Sequence, residues 1–132
     1  MKITTTLATS TTPDGDPLVL QEHDGHYFMK VRGVQLMSTN ASSSEQQMAE
    51  LACANMPTRP RVLIGGLGFG FTLRRVLELC SPDAIVDVAE LLPVVVDWNR
   101  QFLTGVNGLL VDDPRVRIHI RDVAELVNRV GN

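Results

Sequence analysis

Residues 62–72 read VLIGGLGFGFT, and this stretch decides the fold of the chain. Its short apolar start predicts a buried strand, and the apolar residues at helical spacing from Thr72 to Cys80 predict a helix. Glycines between a strand and a helix let the backbone turn sharply and let a ligand lie against bare main chain. The stretch therefore predicts a strand, a turn that can hold a ligand, and a helix, in that order.

Two further strand–helix pairs follow the glycine turn. Ala84–Ala89 reads as a strand and Pro93–Phe102 as a helix, since proline suits a first helical turn. A loop is predicted over Thr104–Arg115, a strand over Val116–Ile120, and a helix that begins at Asp122. Alternating strands and helices imply a parallel sheet with crossover connections.

The first 57 residues have a different pattern. Asp24-Gly25 is a strong two-residue turn signal between alternating segments, and Arg32-Gly33 is a weaker one, so this part predicts β-hairpins. A helix carrying Met48 and Leu51 follows, and prolines end it. We predict two regions, residues 1–57 with hairpins and a linking helix, and residues 58–132 with three strand–helix units. The predicted hairpin strands are Ile3–Ala8, Leu18–His23, His26–Val31 and Val34–Met37.

Composition narrows the class of protein. The 132 residues carry a net charge of −3 with 44% hydrophobic and 20% charged residues, which is typical of a globular protein. No basic stripe is present, so nucleic-acid binding is not expected. No apolar run approaches the roughly 20 residues that cross a bilayer. Cys53 and Cys80 lack metal-binding spacing, so we expect free thiols in a cytoplasmic protein without a metal.

Two carboxylates are predicted to lie beside the glycine turn. Glu90 ends the second strand, twenty residues after Gly70, and Asp122 ends the third. Because parallel strands end at one edge of the sheet, Glu90 can accept hydrogen bonds from ribose hydroxyls and Asp122 from an adenine amine. The alternatives are a solvated strand end for Glu90, a helix N-cap for Asp122, and glycines that serve packing alone.

Other phosphate-binding motifs do not fit. A G-x-G-x-x-G register from Gly66 meets Phe71 at its sixth position, and one from Gly68 meets Leu73. A phosphate loop needs Gly-Lys-Ser/Thr, which is absent. The glycine spacing therefore favours an adenosyl ligand without a pyrophosphate over a nicotinamide dinucleotide.

In these motifs the chain resembles the spermidine synthase family. Val62–Leu77 is similar to its glycine loop, Val88–Phe102 to its ribose-binding segment and Asp113–Asp122 to its adenine-binding segment. The resemblance implies an α/β protein in which N-terminal antiparallel β-hairpins precede a partial Rossmann-like methyltransferase domain with a parallel sheet. It implies binding of S-adenosylmethionine, its decarboxylated form or methylthioadenosine, with methyl or aminopropyl transfer to an amine. The ligand-binding residues it implies are Gln35, Gly66, Leu67, Gly68, Gly70, Glu90, Leu91, Asp122 and Val123.

The chain departs from that family in three places. Phe69 stands where the family's loop carries an acid, and Met48-Ala49-Glu50 where it carries Tyr-His-Glu. The chain ends at Asn132, before the fourth strand that holds the family's general base, so no catalytic residue is predicted. A non-catalytic nucleoside-binding or assembly protein is therefore the alternative. The open sheet edge predicts either a fragment of a longer protein or a homo-oligomer that covers the edge.

Five remaining residues have structural interpretations that compete with functional ones. His23 and His26 flank a hairpin turn and are expected at the surface rather than as a metal pair. His119 alternates with isoleucines and is expected to face a helix. Trp98 with Phe102 is expected in the core rather than as a platform for adenine.

Overall fold

The computed structural model describes residues 3–39, 43–56 and 59–130, and the chain divides into two compact units, Met1–Ser42 and Ser43–Asn132. The predicted boundary at residues 57 and 58 lies outside the described residues. The linking helix, which the sequence grouped with the hairpins, belongs to the second unit, where it packs on the helix that follows the glycine turn.

The N-terminal unit is a four-stranded antiparallel sheet in chain order. Asp24 and Gly25 both have positive φ, 52° and 81°, as a type I′ hairpin turn requires. Arg32 and Gly33 repeat this geometry with φ of 53° and 75°, so the weaker turn signal also predicted a hairpin correctly. The strands are β1 (Thr5–Thr11), β2 (Pro17–His23), β3 (His26–Val31) and β4 (Val34–Ser38).

The second unit contains a parallel three-stranded sheet in the order β5 (Arg61–Gly65), β6 (Ile85–Ala89), β7 (Val116–His119). Val86 and Val88 on β6 are fully buried, as expected for the central strand of a covered sheet. The registers of the two strand pairs place Gly65 beside Ala89 and Ala89 beside His119, so the three strands end together. This confirms the predicted fold class.

Five helices accompany this sheet among the described residues: α1 (Ser43–Ala52), α2 (Phe71–Leu79), α3 (Pro93–Gln101), α4 (Thr104–Asn107) and α5 (Val123–Val130). The prediction of an unstructured loop over Thr104–Arg115 was wrong, because α4 and a 3-10 turn at Leu110–Asp112 occupy it. Buried Leu103 and Val111 anchor this segment, whose apolar residues follow no sustained helical or strand period. Trp98 is 3% exposed and lies in the core. No helix of the described part of the chain is long and apolar enough to cross a membrane.

Arg115 connects the end of α2 to the start of β7. Its Nη1 donates to the carbonyls of Leu77 at 2.9 Å and Cys80 at 3.2 Å, which the helix leaves unpaired. Its Nε and Nη2 donate to the two carboxylate oxygens of Asp113 at 3.1 and 3.0 Å. One guanidinium therefore satisfies four acceptors in a fixed planar arrangement.

We expect Arg115→Lys to lower the free energy of unfolding by about 1–3 kcal/mol, since an ammonium group cannot reproduce this fork. Denaturant unfolding measures it. The matched control is Arg100→Lys, because Arg100 makes only an exposed 3.3 Å pair with Asp112, which is worth about 0–1 kcal/mol. Equal losses in both variants would contradict the assignment.

The same pair predicts a pH dependence. Hydrogen bonds from Arg115 hold the pKa of Asp113 below its ordinary value of 3.8. A lowered pKa in the folded state stabilises the protein at pH above the ordinary value, and this stability is lost as the pH falls through the folded pKa. The parent is expected to have a larger free energy of unfolding than Arg115→Met at neutral pH. This difference should shrink below about pH 4, as Asp113 takes up a proton. Denaturant unfolding at a series of pH values measures it.

Candidate functional site

A pocket of about 200 Å³ lies where the three parallel strands end. Gly66 follows β5, Glu90 follows β6 and Asp122 follows β7, so each strand contributes one predicted ligand residue to the same pocket. This is the crevice beyond the carboxyl ends of the strands where open α/β sheets bind ligands. Its lining residues are Gly66, Ala89, Glu90, Leu91, Arg121, Asp122 and Val123.

Glu90 is held rigidly by main-chain donors. Its Oε1 accepts from the N–H of Leu67 at 2.9 Å and its Oε2 from the N–H of Leu92 at 3.0 Å. The residue is only 8% exposed, and its own N–H donates to the carbonyl of His119 at 2.9 Å. The carboxylate therefore joins the glycine turn to the start of α3, and the idea of a solvated strand end was wrong.

Gly66 presents bare main chain to the pocket. Its φ is +92°, and a Cβ built on it would meet no atom within 4 Å. Its N–H donates to the carbonyl of Ala89 at 2.7 Å, which fixes the turn against the next strand. At Gly65, by contrast, a Cβ would lie 3.3 Å from Val123 Cγ2 of α5. Gly65 thus serves packing, whereas Gly66 leaves space beside the pocket.

Two asparagine side chains hold the other side of the glycine turn. Asn99 Nδ2 donates to the carbonyls of Gly68 at 2.9 Å and Val95 at 2.8 Å. Asn107 Nδ2 donates to the carbonyl of Phe69 at 2.7 Å. The sequence analysis missed both residues. The structure shows Asn99 to be 8% exposed on the apolar face of α3. The only signal for it in the sequence was a polar residue at helical spacing from apolar ones.

Asn99→Asp is expected to destabilise the protein at neutral pH by about 1–3 kcal/mol, because it replaces a buried donor with an acceptor that faces two carbonyls. The loss should shrink as the pH falls from neutral toward about 4, because burial against two carbonyls raises the pKa of the new carboxyl above its ordinary value of about 3.9, and the protonated group can donate again. Thermal unfolding as a function of pH measures this. Asn55→Asp, at an exposed position, is the control. A loss of the same size there would contradict the role of Asn99 in holding the glycine turn.

Asp122 has a structural role in addition to any ligand contact. Its Oδ1 accepts from the N–H of Ala124 at 2.8 Å, so it caps the start of α5. The capping interpretation is thus confirmed. The residue is exposed and lines the pocket, and its contact with adenine stays a prediction.

The other predicted residues fall into three groups. Leu91 and Val123 line the pocket, whereas Leu67 does not: its side chain is buried and its N–H donates to Glu90. Gly68 and Gly70, with φ of +54° and +87°, give the turn its shape but do not line this pocket. Gln35 lies on β4 in the N-terminal unit, in a shallow pocket with Lys30, so its role stays a prediction.

A charged cluster around the buried Asp87 joins the three strands of the parallel sheet, and its Arg61 side chain is 49% exposed. Asp87, 5% exposed, accepts from Arg61 Nε at 2.9 Å and pairs with His119 Nε2 at 2.8 Å. Burial alone would raise the pKa of Asp87, but the hydrogen bonds from His119 and Arg61 outweigh it and hold the pKa below its ordinary value. Asp87 and Arg61 gave no motif in the sequence, and His119 was expected only to face a helix. No group of three metal-ligating side chains occurs within residues 3–39, 43–56 and 59–130.

Comparison with known families gives a match for residues 41–132, which fit the model of the spermine/spermidine synthase domain. Spermine synthase from Arabidopsis thaliana is 29% identical over 96 residues, 73% of this chain and 26% of the relative. Putrescine N-methyltransferase 2 from Nicotiana attenuata is 35% identical over 82 residues, 62% of this chain and 22% of the relative.

A solved structure of a spermidine synthase, in complex with the transition state analogue AdoDATO, has the same fold. Its TM-score is 0.77 at 23% sequence identity, over 94% of this chain and 43% of that one. The chain thus spans about a quarter of the length of the two relatives and less than half of the solved structure.

Proposed function

Since the chain belongs to the spermine/spermidine synthase family, we propose that its second unit binds the adenosyl part of an S-adenosylmethionine-type donor. The observation that carries this proposal is the convergence of Gly66, Glu90 and Asp122 on one pocket. Glu90 would accept hydrogen bonds from the ribose hydroxyls, Asp122 from the adenine amine, and Gly66 would allow close approach of the ligand to the main chain.

The geometry of Glu90 fits a ribose. Each carboxylate oxygen accepts one main-chain N–H, and an ionised carboxylate has about four acceptor positions. One position on each oxygen therefore remains for a hydroxyl. The volume of about 200 Å³ is below the roughly 300–1,000 Å³ of sites that enclose a drug-sized ligand. It suits part of a nucleoside.

The donor would supply an electrophilic carbon beside a sulfonium. The residues of this chain would hold and orient the nucleoside, so that the reacting carbon projects from a fixed ribose. The decarboxylated donor would serve aminopropyl transfer, as in an aminopropyltransferase, and S-adenosylmethionine would serve methyl transfer. Both are candidates, because a relative named for synthase activity and one named for N-methyltransferase activity both match this chain.

Isothermal titration calorimetry with methylthioadenosine, S-adenosylmethionine and decarboxylated S-adenosylmethionine tests the proposal. We expect at least one of the three to bind, and the preferred donor indicates the transfer reaction. Binding of none of them would overturn the proposal. A ligand that binds without transfer to putrescine would instead favour the non-catalytic nucleoside-binding role.

We also propose a homo-oligomer that covers the outer edge of β5. This strand pairs with β6 on one side and has no strand neighbour on the other within the described residues. Unpaired N–H and C=O groups at such an edge favour pairing with another chain. A groove of about 290 Å³ beside it is lined by Met48, Ala52, Val62 and Val76, among others. Light scattering should show a dimer or larger species, and a monomer at all concentrations would exclude this.

A further inference from the structure

Three side chains, one from each strand of the parallel sheet, form a continuous row that we call the Arg61–Asp87–His119 ladder. Asp87 on β6 is its centre, bonded to Arg61 of β5 at 2.9 Å and to His119 of β7 at 2.8 Å. The side chain of Asp87 is 6% exposed, and that of His119 is 31% exposed. Leu63 and Leu126 line the same cavity of about 140 Å³, so the ladder lies against α5.

The protonation of the ladder follows from its geometry. The pKa of Asp87 is lowered, so this carboxylate is ionised near neutral pH and can only accept. His119 Nε2 must therefore carry the proton that it shares with Asp87. The imidazole of His119 and the guanidinium of Arg61 thus both bond to the carboxylate of Asp87.

The ladder is also tied to the pocket. Glu90 follows Asp87 by three residues and Asp122 follows His119 by three, a distance of about 10 Å along a strand. The carbonyl of His119 accepts the N–H of Glu90 at 2.9 Å. His119 thus contacts Asp87 through its ring and Glu90 through its main chain.

The apolar face of β7 does not fix its register alone. Val116, Ile118 and Ile120 repeat every second residue, so a slip by two residues would keep apolar side chains on the same face. Such a slip would move Asp122 along the strand direction relative to Glu90 by about 7 Å. It would also replace the imidazole at Asp87 with an arginine. The Asp87–His119 bond is thus one of the contacts that hold β7 in its observed register, together with the bonds from Arg115 to the end of α2.

We propose that the Arg61–Asp87–His119 ladder is a positioning element of the adenosyl site, which fixes Glu90 relative to Asp122. This rests on the proposed function, because the two carboxylates are the groups that it places for the ligand. Asp87 and His119 touch no ligand themselves. They affect affinity by holding two things in place: the His119 carbonyl, which accepts the N–H of Glu90, and the register of β7.

Three variants test the ladder by calorimetry with methylthioadenosine and by thermal unfolding. His119→Leu removes the bond to Asp87 and is expected to weaken binding about tenfold. His119→Gln keeps an N–H donor at a similar reach and should restore affinity to within about threefold. Val86→Ala, on the opposite face of β6 and 0% exposed, destabilises the fold without touching the ladder and should bind like the parent.

A second measurement does not need a ligand. The amide signals of Leu67, Leu92 and Ala124 report on the carboxylates of Glu90 and Asp122, to which these N–H groups donate. They should shift in the NMR spectrum of His119→Leu and stay in place in Val86→Ala. If the parent binds and His119→Leu binds equally, or if Val86→Ala shows the same loss, the ladder does not position the site. If the parent binds none of the three adenosyl ligands, the proposed function is wrong. The amide signals then test the ladder alone, and the ladder is wrong if they do not shift in His119→Leu.

Discussion

Glu90→Gln is expected to weaken binding of methylthioadenosine by about 100-fold or more, the largest effect of any single change in this chain. The carboxylate would make charge-assisted hydrogen bonds to two ribose hydroxyls, each worth about 1.5–3 kcal/mol, and about 1.4 kcal/mol corresponds to tenfold in affinity. Calorimetry with the parent and the variant under the same conditions measures the loss.

The same change should also destabilise the fold. Both oxygens of Glu90 accept main-chain N–H groups, from Leu67 and Leu92. A glutamine must turn its NH₂ group toward one of them, which leaves two donors facing each other at a cost of about 1–3 kcal/mol. Denaturant unfolding separates this loss from the loss of affinity.

Glu22→Gln is the matched control for Glu90→Gln. Glu22 Oε1 also accepts a main-chain N–H, from Gly25 at 2.8 Å, but in an exposed hairpin turn of the N-terminal unit. It should lose little stability and no affinity. If Glu90→Gln binds methylthioadenosine as the parent does, Glu90 is a structural bridge only, and the ribose contact is wrong.

Gly66→Ala is the second change with a large expected effect. A methyl group would point into the open space beside the pocket, where the ligand is expected to approach the main chain. Overpacking of this kind costs about 1–3 kcal/mol, which is roughly a 5- to 150-fold loss of affinity. The left-handed φ of +92° adds a backbone penalty of roughly 1–2 kcal/mol to folding.

Gly15→Ala separates these two effects. Gly15 has a similar φ of +88° and also has no atom within 4 Å of a built Cβ, but it lies in the N-terminal unit, outside the pocket. The two variants should lose similar stability, and only Gly66→Ala should lose affinity. Equal affinity in both would mean that no ligand approaches the main chain at Gly66.

Local signals in the sequence determined most of the fold. Asp24-Gly25 adopts the turn that its residue types prefer, because positive φ is a property of the residues themselves. The apolar run around Val86 and Val88 and the glycines at 66, 68 and 70 are likewise local signals, because each determines the backbone within a few residues. The positions of Gly66, Glu90 and Asp122 at one edge then follow from the parallel strands, which share a direction.

Only the tertiary structure decided how the site is held together. Asn99 meets the glycine turn from 31 residues away, Asn107 from 38, and Asp87 meets His119 across 32. An asparagine or a single buried aspartate has no periodic signature, and its partner is fixed only when separate elements pack. The sequence thus determined which residues can face an adenosyl ligand. Packing decided which side chains hold them in place, because those hydrogen bonds join segments whose distance in space is set by the whole fold.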